Sequence, residues 1–301
     1  MNIQKEKNLT FLTTMKTKCI AEQFVEVETK EELLEAIRYA TDNKLSVLML
    51  GGGSNTIILK ERVDGLVIKN RYTEKEVVSN SAAFVDIRVS SGYVVARLVS
   101  ELIAAGYEGL ESHIGLPGTV GGAIYMNSKW THPVSYFGDS LIFATIADPK
   151  GITRQVDKDY FHFGYDTSVL QSTEEYLIDA TFRLVKTSPD ILKARSREVI
   201  DYRNQTQPVS RATSGCFFQN IGAEEQRRLG LKTASAGYLI DQSGMKGKRV
   251  GSFVVSQKHA NFIIDEGEGN PEDLKILMDE VKKAVHDKFG VSLKEEIRVV
   301  I

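Results

Sequence analysis

The sequence has 301 residues, 42% of them hydrophobic, and a formal net charge of −2 at pH 7. This length and composition predict a globular protein of two or three domains, and the near-neutral charge argues against a nucleic-acid-binding protein. The only two cysteines, Cys19 and Cys216, lie far apart, which argues against a disulfide framework and predicts a reducing compartment. No apolar run is long enough to span a membrane, and no hydrophobic leader follows the polar N-terminus, so we expect a cytoplasmic protein.

Apolar periodicity and turn signals predict an α+β protein in three blocks, 1–70, 71–188 and 189–301. Residues 1–20 carry little pattern and predict an entry segment. In the first block the predicted elements are a strand at 23–27, a helix after the capping box Thr29–Glu32, a strand at 46–50, a turn at Asp64–Gly65 and a strand at 66–68. The second block has a strand at 84–90, a helix at 94–105, a glycine-rich loop at 115–122 and strands at 141–147 and 176–185. A helical connector at 186–204 leads to a turn around Ser214–Gly215, short apolar segments at 239–240, 254–255 and 262–264, a helix from Pro271 to Gly290, and a strand at 297–301. The sequence has no internal repeat.

Two glycine-rich loops are the first candidates for a binding site. Gly51-Gly52-Gly53-Ser54-Asn55 follows an apolar strand, and it predicts either a phosphate cradle or a tight turn between strands. It matches neither a P-loop nor a GxGxxG fingerprint. The second loop, 115–123, offers several glycine amides around the hydroxyl of Thr119. Together the loops favour a pyrophosphate held from two sides.

Five motifs, in this order along the chain, resemble the UDP-N-acetylenolpyruvoylglucosamine reductase (MurB) family. They are Gly51-Gly52-Gly53-Ser54-Asn55, Leu116-Pro117-Gly118-Thr119-Val120-Gly121-Gly122-Ala123, Phe163-Gly164-Tyr165, Ser256-Gln257-Lys258-His259-Ala260-Asn261-Phe262-Ile263 and Glu296-Ile297-Arg298. Residues 235–247 also resemble the family segment upstream of the fourth motif. The resemblance spans roughly residues 8–300. The lack of an insertion between Phe163 and Leu184 resembles the shorter, type II form.

The resemblance implies a PCMH-type FAD-binding fold in two subdomains, 1–70 and 71–188, followed by an α+β substrate-binding domain, 189–301. It implies that the flavin pyrophosphate lies between the glycine loops. The implied cofactor-binding residues are Gly51, Gly52, Gly53, Ser54, Asn55, Pro117, Gly118, Thr119, Gly121, Gly122 and Ala123.

The implied reaction is the NADPH- and FAD-dependent reduction of UDP-N-acetylglucosamine enolpyruvate to UDP-N-acetylmuramate. This reaction would place the protein in peptidoglycan precursor synthesis, and so in cell-wall biogenesis, cell shape and cell division. We expect a monomer that acts on a small nucleotide-sugar substrate, with no nucleic-acid or membrane partner.

The reaction needs a proton donor opposite the flavin, and the resemblance implies that it is Cys216. The family has Ser or Cys in a Gly-Ser-x-Phe segment, which reads Gly215-Cys216-Phe217-Phe218 here. A thiol is a stronger acid than a serine hydroxyl. The alternative is that Cys216 is a small buried hydrophobic residue.

The resemblance assigns Glu296 a second catalytic role, in stabilising the intermediate. Its neighbour Glu295 is the rival candidate, and a solvated surface pair is the alternative for both. Tyr165, Asn220 and His259 are the implied substrate-binding residues. The alternatives are that Asn220 caps a turn and that His259 is a satisfied core histidine.

Two segments depart from the family pattern. Asp166 stands where the family has an arginine that would polarise the enolpyruvyl carboxylate, and residues 127–133 are rebuilt and include Lys129. One hypothesis is that Lys129 replaces the missing charge, oriented by Asp166. The others are a related flavoenzyme with a different substrate, or an FAD-binding protein that has lost catalysis.

The segment 13–21 lacks two glycines of the family and keeps a positive charge, Lys16, near the expected phosphate. The five histidines show no metal-binding spacing, which predicts no metal site.

Overall fold

The computed structural model describes residues 1–267 and 269–301. Its strands are β1 (Gln4–Asn8), β2 (Ile20–Val27), β3 (Val47–Leu50), β4 (Thr56–Ile58), β5 (Arg62–Asn70), β6 (Lys75–Asn80), β7 (Phe84–Ser90), β8 (Tyr107–Glu108), β9 (Lys129–Thr131), β10 (Val134–Tyr136), β11 (Leu141–Ala147), β12 (Thr153–Asp157), β13 (Tyr176–Lys186), β14 (Arg249–Val250), β15 (Phe253–Val255), β16 (Ile263–Asp265) and β17 (Arg298–Val300). Its α-helices are α1 (Lys30–Asp42), α2 (Val95–Ala105), α3 (Val120–Met126), α4 (Pro189–Thr206), α5 (Ala223–Arg228), α6 (Ala236–Gln242) and α7 (Pro271–Phe289). Among these residues, no helix is both long and apolar enough to cross a membrane.

The chain forms two compact units, each built from three separate segments. Unit 1 comprises Met1–Glu6, Glu22–Gly52 and Asp64–Tyr202, and unit 2 comprises Lys7–Ala21, Gly53–Val63 and Arg203–Ile301. Both of the first two predicted blocks therefore contribute mainly to unit 1. The change of unit falls inside the first glycine loop, between Gly52 and Gly53.

Unit 1 holds two larger sheets with helices packed on them, besides the two-stranded pair of β9 and β10. One sheet has the order β1-β2-β5-β3, with β3 and β5 parallel, and the other has the order β12-β11-β13-β7-β6, with β8 also pairing with β13. The apolar stripe of α1, with Leu33 and Ile37, packs with Val25, Leu66 and Ile68 of the first sheet. Burial of such a stripe supplies most of the stability of an amphipathic helix.

The second sheet of unit 1 has its own core. Leu98, Val99 and Leu102 of α2 pack with Ile87 and Phe182. Helix α2 ends at Gly106, whose left-handed φ of 74° is the backbone conformation that glycine adopts without strain. This core supports α3 and the second glycine loop.

Unit 2 is built on α7. Leu274, Leu277 and Val281 of this helix pack with Phe217 and Phe253, and Met15 and Ile57 from the early segments join the same core. The unit contains the three-stranded antiparallel sheet β14-β15-β16 and the parallel pair β17-β4.

The strongly patterned elements are confirmed. Thr29 accepts a hydrogen bond from the Glu32 amide (3.2 Å) at the start of α1, and Asn270 accepts one from the Glu272 amide (2.8 Å) at the start of α7. Helix α7 ends at Gly290 with a φ of 67°. Capping residues identify helix ends because they bond amides that have no partner within the helix.

The predicted turn at Asp64–Gly65 is wrong, because both residues lie inside β5. The Gly65 amide donates to Glu22 (2.8 Å), and a Cβ on Gly65 would lie 2.4 Å from the Ser46 carbonyl oxygen. The glycine therefore permits a close backbone approach within a strand and does not mark a turn.

The predicted loop at 115–122 is also partly wrong, because α3 begins at Val120. A Cβ on Gly121 would lie 3.0 Å from the carbonyl oxygen of Ser91, so this glycine lets the helix pack closely against the chain. The segment at 239–240 lies in α6, whereas those at 254–255 and 262–264 lie in or beside strands. The strands that were not predicted include β1, β6, β8, β9, β10, β12 and β14. Strand β6, for example, is exposed at every position and has no apolar alternation to reveal it.

Candidate active site

In unit 1 the two glycine loops touch each other. A Cβ on Gly51 would lie 2.4 Å from Thr119 Oγ1, and one on Gly52 would lie 2.6 Å from the Cα of Gly118. Real Cβ atoms do not approach other atoms so closely, so larger residues would push the loops apart. The glycines are therefore required for the two loops to meet.

Only part of the expected amide cradle is available in the second loop. The amides of Val120, Gly121 and Ala123 donate to the carbonyls of Tyr93, Ser91 and Thr119. These three amides hold the loop in place and do not face an anion.

Lys69 supplies a cation that the sequence reading missed. Its ammonium donates to the carbonyl of Gly51. Burial, together with the nearby charge of Arg71, lowers the pKa of Lys69. A lysine at the end of the apolar strand β5 gives no sequence signal, because only the fold brings it to the glycine loop.

The rebuilt segment 127–133 begins an antiparallel hairpin, β9-β10. Lys129 lies at its start, with its ammonium 5.6 Å from the ring centroid of Tyr136 and 5.0 Å from that of Tyr165. These are cation–π distances. Trp130 and His132 of the same hairpin pack on the ring of Tyr202 at the end of α4.

Asp166, which the sequence-based hypothesis pairs with Lys129, lies in a local turn, and its role in orienting the lysine stays a prediction. It is buried and has a left-handed φ of 55°, within a tight turn in which the Gly164 amide donates to the Thr167 carbonyl (3.1 Å). Its own carbonyl accepts from Gln171 Nε2 (2.8 Å). Aspartate tolerates this conformation better than most residues, so the turn is one structural reason for an aspartate here.

In unit 2 the remainder of the first glycine loop packs on the entry segment. A Cβ on Gly53, whose φ is 68°, would lie 2.2 Å from the carbonyl oxygen of Leu12. The hydroxyls of Thr13 and Thr17 are buried and have no hydrogen-bond partner among the described residues. Lys16 is exposed, with a φ of 58°.

Cys216 and Glu296 lie on neighbouring extended segments of unit 2. Half-buried Cys216 forms a β-bridge with Phe262, and the next amide, of Phe217, donates to the Asn261 carbonyl (2.8 Å). On the other side, the Phe217 carbonyl accepts from the Glu296 amide (2.9 Å). The fold thus brings together two segments that are distant in the sequence.

The two adjacent glutamates have different surroundings. The carboxylate of Glu295 pairs with the ammonium of Lys282 on α7. The backbone at Glu296 is fixed instead by the first loop, because Asn55 Nδ2 donates to the Glu296 carbonyl (3.4 Å) and the Arg298 amide donates to the Asn55 carbonyl (2.8 Å). Asn55 therefore has a structural contact as well as its expected cofactor role.

His259 and Asn220 both have structural partners. The Asn261 amide donates to Nδ1 of His259 (3.3 Å), and burial lowers the pKa of this imidazole, so the neutral ring is favoured. Asn220 accepts from the amide of Ala236, the first residue of α6 (2.9 Å). The side-chain oxygen of Asn220 therefore bonds a backbone amide, as the alternative interpretation of a capping residue predicts.

Comparison with known proteins places these features in a family. Residues 21–157 match the model of an FAD binding domain, and residues 207–300 match the model of the C-terminal domain of UDP-N-acetylenolpyruvoylglucosamine reductase. The curated reductase of Chlamydia trachomatis serovar L2 is 33% identical over 299 residues, covering 99% of this chain and 96% of the relative. The chain belongs to the UDP-N-acetylenolpyruvoylglucosamine reductase family.

Other relatives agree with this assignment. The reductase of Trichormus variabilis is 30% identical, covering 99% of this chain and 86% of the relative. The crystal structure of the MurB reductase from Thermus caldophilus superposes with a TM-score of 0.82 at 28% identity over the whole of both chains. The α+β class and the FAD-binding fold of the PCMH type are therefore confirmed, and the chain is an oxidoreductase of the MurB family.

Proposed function

We propose that this protein reduces UDP-N-acetylglucosamine enolpyruvate to UDP-N-acetylmuramate, with FAD as the bound cofactor and NADPH as the reductant. Family membership over the whole chain supports the reaction. At the level of residues, the proposal rests on the pairing of the Cys216 and Glu296 segments. The Glu296 amide donates to the Phe217 carbonyl and so joins the two segments. Reduction of an enolpyruvyl ether requires a proton donor and a group that stabilises the reacting centre, and we assign these two roles to residues of the paired segments.

The residues present fit an FAD pyrophosphate. In unit 1, the Gly51–Gly52 backbone meets Gly118 and Thr119 with no room for side chains. In unit 2, the buried hydroxyl of Thr13 lies beside Gly53 and has no protein partner within the described residues, which suits a ligand oxygen as acceptor. We propose that both loops bind the cofactor. The residues of the second loop that would contact it are Pro117, Gly118, Thr119, Gly122 and their neighbours.

FAD supplies a hydride to the vinyl group when it is bound and reduced. The chain supplies the proton, which we assign to the Cys216 thiol. We assign Glu296 to stabilisation of the reacting enolpyruvyl group, since the carboxylate of Glu295 already pairs with Lys282. A positioned donor of this kind contributes about 10²- to 10⁴-fold to a rate.

The substrate contacts remain proposals. Tyr165 and Lys129 form one group in unit 1, in which the Lys129 ammonium is held over the tyrosine ring and can meet a carboxylate or phosphate. His259, with Nδ1 accepting a backbone amide, has Nε2–H as its donor, and Asn220 is assigned to the substrate through its amide nitrogen. Lys129, and not Asp166, is our candidate for the charge that the family arginine would supply.

The wider biological assignments follow from the reaction. We propose a cytoplasmic monomer that serves cell-wall biogenesis, cell shape and cell division. We retain the functional division into two FAD-binding subdomains, 1–70 and 71–188, and a substrate-binding domain, 189–301.

A stopped-flow experiment with the two half-reactions tests the proposal. We expect NADPH to bleach the bound flavin, and the enolpyruvyl nucleotide to restore its absorbance under anaerobic conditions. Reduction without reoxidation would contradict the substrate assignment. Absence of both steps in flavin-loaded protein would contradict the enzymatic function itself.

A further inference from the structure

The end of strand β5 is linked to both glycine loops of unit 1. Lys69 and Asn70 are the last two residues of this strand, and successive side chains of a strand point to opposite faces. Each side chain makes its own hydrogen bond, Lys69 to the first loop and Asn70 to Ser91, which in turn holds the second loop. Two adjacent residues thus connect one strand to two loops that are distant in the sequence.

The Lys69 side chain fixes a peptide group of the first loop. Lys69 pairs in register with Leu50, the last residue of β3, and its ammonium donates to the carbonyl of the next residue, Gly51. The peptide bond between Gly51 and Gly52 is trans, so the Gly52 N–H points away from the carbonyl that Lys69 holds. Lys69 therefore sets the direction of the Gly52 amide.

The charge of Lys69 suits a loop that receives an anion. Its ammonium is half-buried, and burial lowers its pKa, with the charge of Arg71 acting in the same direction. The Glu26 carboxylate acts in the opposite direction but pairs with Arg71. Because burial disfavours a charged ammonium, a phosphate at this loop would stabilise it.

The Asn70 side chain reaches the second loop through Ser91. Asn70 Nδ2 donates to Ser91 Oγ (2.8 Å), and both side chains are buried. The Ser91 carbonyl accepts the amide of Gly121 in the first turn of α3 (2.8 Å). Asn70 is itself fixed, because its Oδ1 accepts the Tyr72 amide (3.0 Å). The position of Asn70 therefore determines where Ser91 holds the second loop.

The packing around these anchors leaves little room for adjustment. A Cβ on Gly92 would lie 2.7 Å from Asn70 Oδ1 and 2.5 Å from the Tyr72 carbonyl oxygen. A Cβ on Gly121 would lie 3.0 Å from the Ser91 carbonyl oxygen. Close-packed segments transmit a displacement to their neighbours, so a shift at either anchor should reach the place where the two loops touch.

We propose that Lys69 and Asn70 are positioning residues that fix the two glycine loops against each other for binding of the FAD pyrophosphate. The inference rests on the proposed binding of FAD at these loops. Lys69 acts on the first loop directly, and Asn70 acts on the second loop through the Ser91 hydroxyl. Each contact uses a side-chain atom, so each can be removed without a substitution in either loop.

Titration of the FAD-free protein with FAD tests the proposal. We expect Lys69→Met to weaken FAD binding about tenfold, because a hydrogen bond from a charged donor is lost. Lys69→Arg should restore most of the affinity, since it keeps a cationic donor. Ser91→Ala removes the hydroxyl and leaves the Ser91 carbonyl in place, and it should weaken FAD binding about fivefold.

The chain offers a matched control for each variant. Lys5→Met removes an exposed lysine from β1 of the same sheet. Ser196→Ala removes a buried hydroxyl that donates to the Leu192 carbonyl within α4 (2.6 Å). Parent affinity in Lys69→Met and Ser91→Ala, or an equal loss in the controls, would overturn the proposal. Thermal unfolding of the FAD-free variants checks folding, and Lys69→Gln takes the place of Lys69→Met if that variant does not fold.

Amide hydrogen exchange tests the second anchor without the cofactor. In FAD-free protein, Ser91→Ala should speed exchange of the Gly121 amide about fivefold, whereas Ser196→Ala should leave it unchanged. Unchanged exchange in Ser91→Ala would overturn the role of Asn70. Failure of the parent to bind FAD would instead contradict the proposed cofactor site, and the exchange rates would still show whether the Ser91 hydroxyl holds the loop.

Discussion

At the scale of single residues, Cys216 lies on a segment that is bonded to two others that carry candidate site residues. Its segment is bonded on one side to the loop that contains His259 and on the other side to the segment of Glu296. Both neighbours are held by backbone hydrogen bonds, so substitution of the Cys216 side chain leaves the surrounding structure largely in place. The residue is therefore suited to mutational analysis.

Cys216→Ala should separate the two half-reactions. We expect reoxidation of the flavin by the enolpyruvyl nucleotide to slow about 10²- to 10⁴-fold, because the proton donor is lost. Reduction by NADPH should stay close to the parent rate, since it needs no donor at this position. Stopped-flow absorbance measures both rates.

Cys19→Ala is the matched control, because it removes the other cysteine. Reoxidation at the parent rate in Cys216→Ala would show that another group donates the proton. A parallel loss of NADPH reduction would show that the substitution disturbs flavin binding.

The sequence identified Cys216 and Glu296 because each lies in a short motif with a fixed order along the chain. It could not identify Lys69, because its proximity to Gly51 exists only in the folded chain. It also paired Lys129 with Asp166 on charge alone. The Lys129 ammonium lies over two tyrosine rings, contacts that no local pattern encodes.

At the scale of elements, the glycine loops of unit 1 depend on backbone contact. The space for a Cβ on Gly52 is blocked by the Cα of Gly118 at 2.6 Å. Backbone atoms cannot move aside as a flexible side chain can, so any larger residue at this position displaces a whole loop.

Gly52→Ala should weaken FAD binding at least about tenfold, equivalent to about 1.4 kcal/mol. Flavin content of the purified protein and titration of the apoprotein with FAD measure the effect. Gly222→Ala is the control, because nothing lies within 4 Å of a Cβ there. Full flavin content and affinity in Gly52→Ala would contradict the assignment of this loop to the cofactor.

A buried carboxyl in the second sheet of unit 1 gives a prediction about stability. Asp179 of β13 accepts a hydrogen bond from Thr145 of β11 (2.9 Å), and burial raises its pKa. Because its pKa is higher in the folded state than in the unfolded chain, Asp179 favours folding most below about pH 4. Its contribution is lost as the pH rises through the folded-state pKa.

Asp179→Asn should therefore raise the thermal unfolding midpoint at neutral pH, by about 2 °C. The difference from the parent should disappear near about pH 3, where the aspartate is protonated in both states. Scanning calorimetry across this pH range measures the effect, with exposed Asp279→Asn of α7 as the control. A lower midpoint at neutral pH would show that the charged form is the stabilising one.

An element can be predicted from the sequence where its packing and its ends leave a local sequence signal. Helices α1, α2 and α7 were readable because each combines an apolar stripe with a cap or a terminal glycine. The start of α3 at Val120 was not, since its glycines serve packing against Ser91 and resemble a loop when seen in sequence. Exposed strands such as β6 carry no periodic signal at all.

At the scale of the whole molecule, the units do not follow the order of the chain. Unit 2 draws on Lys7–Ala21 and Gly53–Val63 as well as on residues from Arg203 onward. Those early segments supply Met15 and Ile57 to its core and β4 as the partner of β17. The family match at 207–300 covers neither segment.

A fragment of residues 203–301 should therefore fail to fold cooperatively, although it contains that whole family match. Its core would lack Met15 and Ile57, and β17 would present an unpaired edge. Calorimetry and near-ultraviolet circular dichroism, compared with the full chain, measure this. A sharp unfolding transition in the isolated fragment would show that the early segments are dispensable.

The parallel pair of β4 and β17 also determines when the protein can finish folding during synthesis. Thr56–Ile58 leave the ribosome early, whereas their partner Arg298–Val300 is made only after the chain between the two strands has been translated. The segments of unit 1 are complete once Tyr202 has emerged, so this unit can fold first. Ile57 and Ile58, fully covered in the finished protein, must wait exposed throughout the translation of the remaining chain. They form a short apolar stretch that a chaperone acting on nascent chains could hold until β17 has been made.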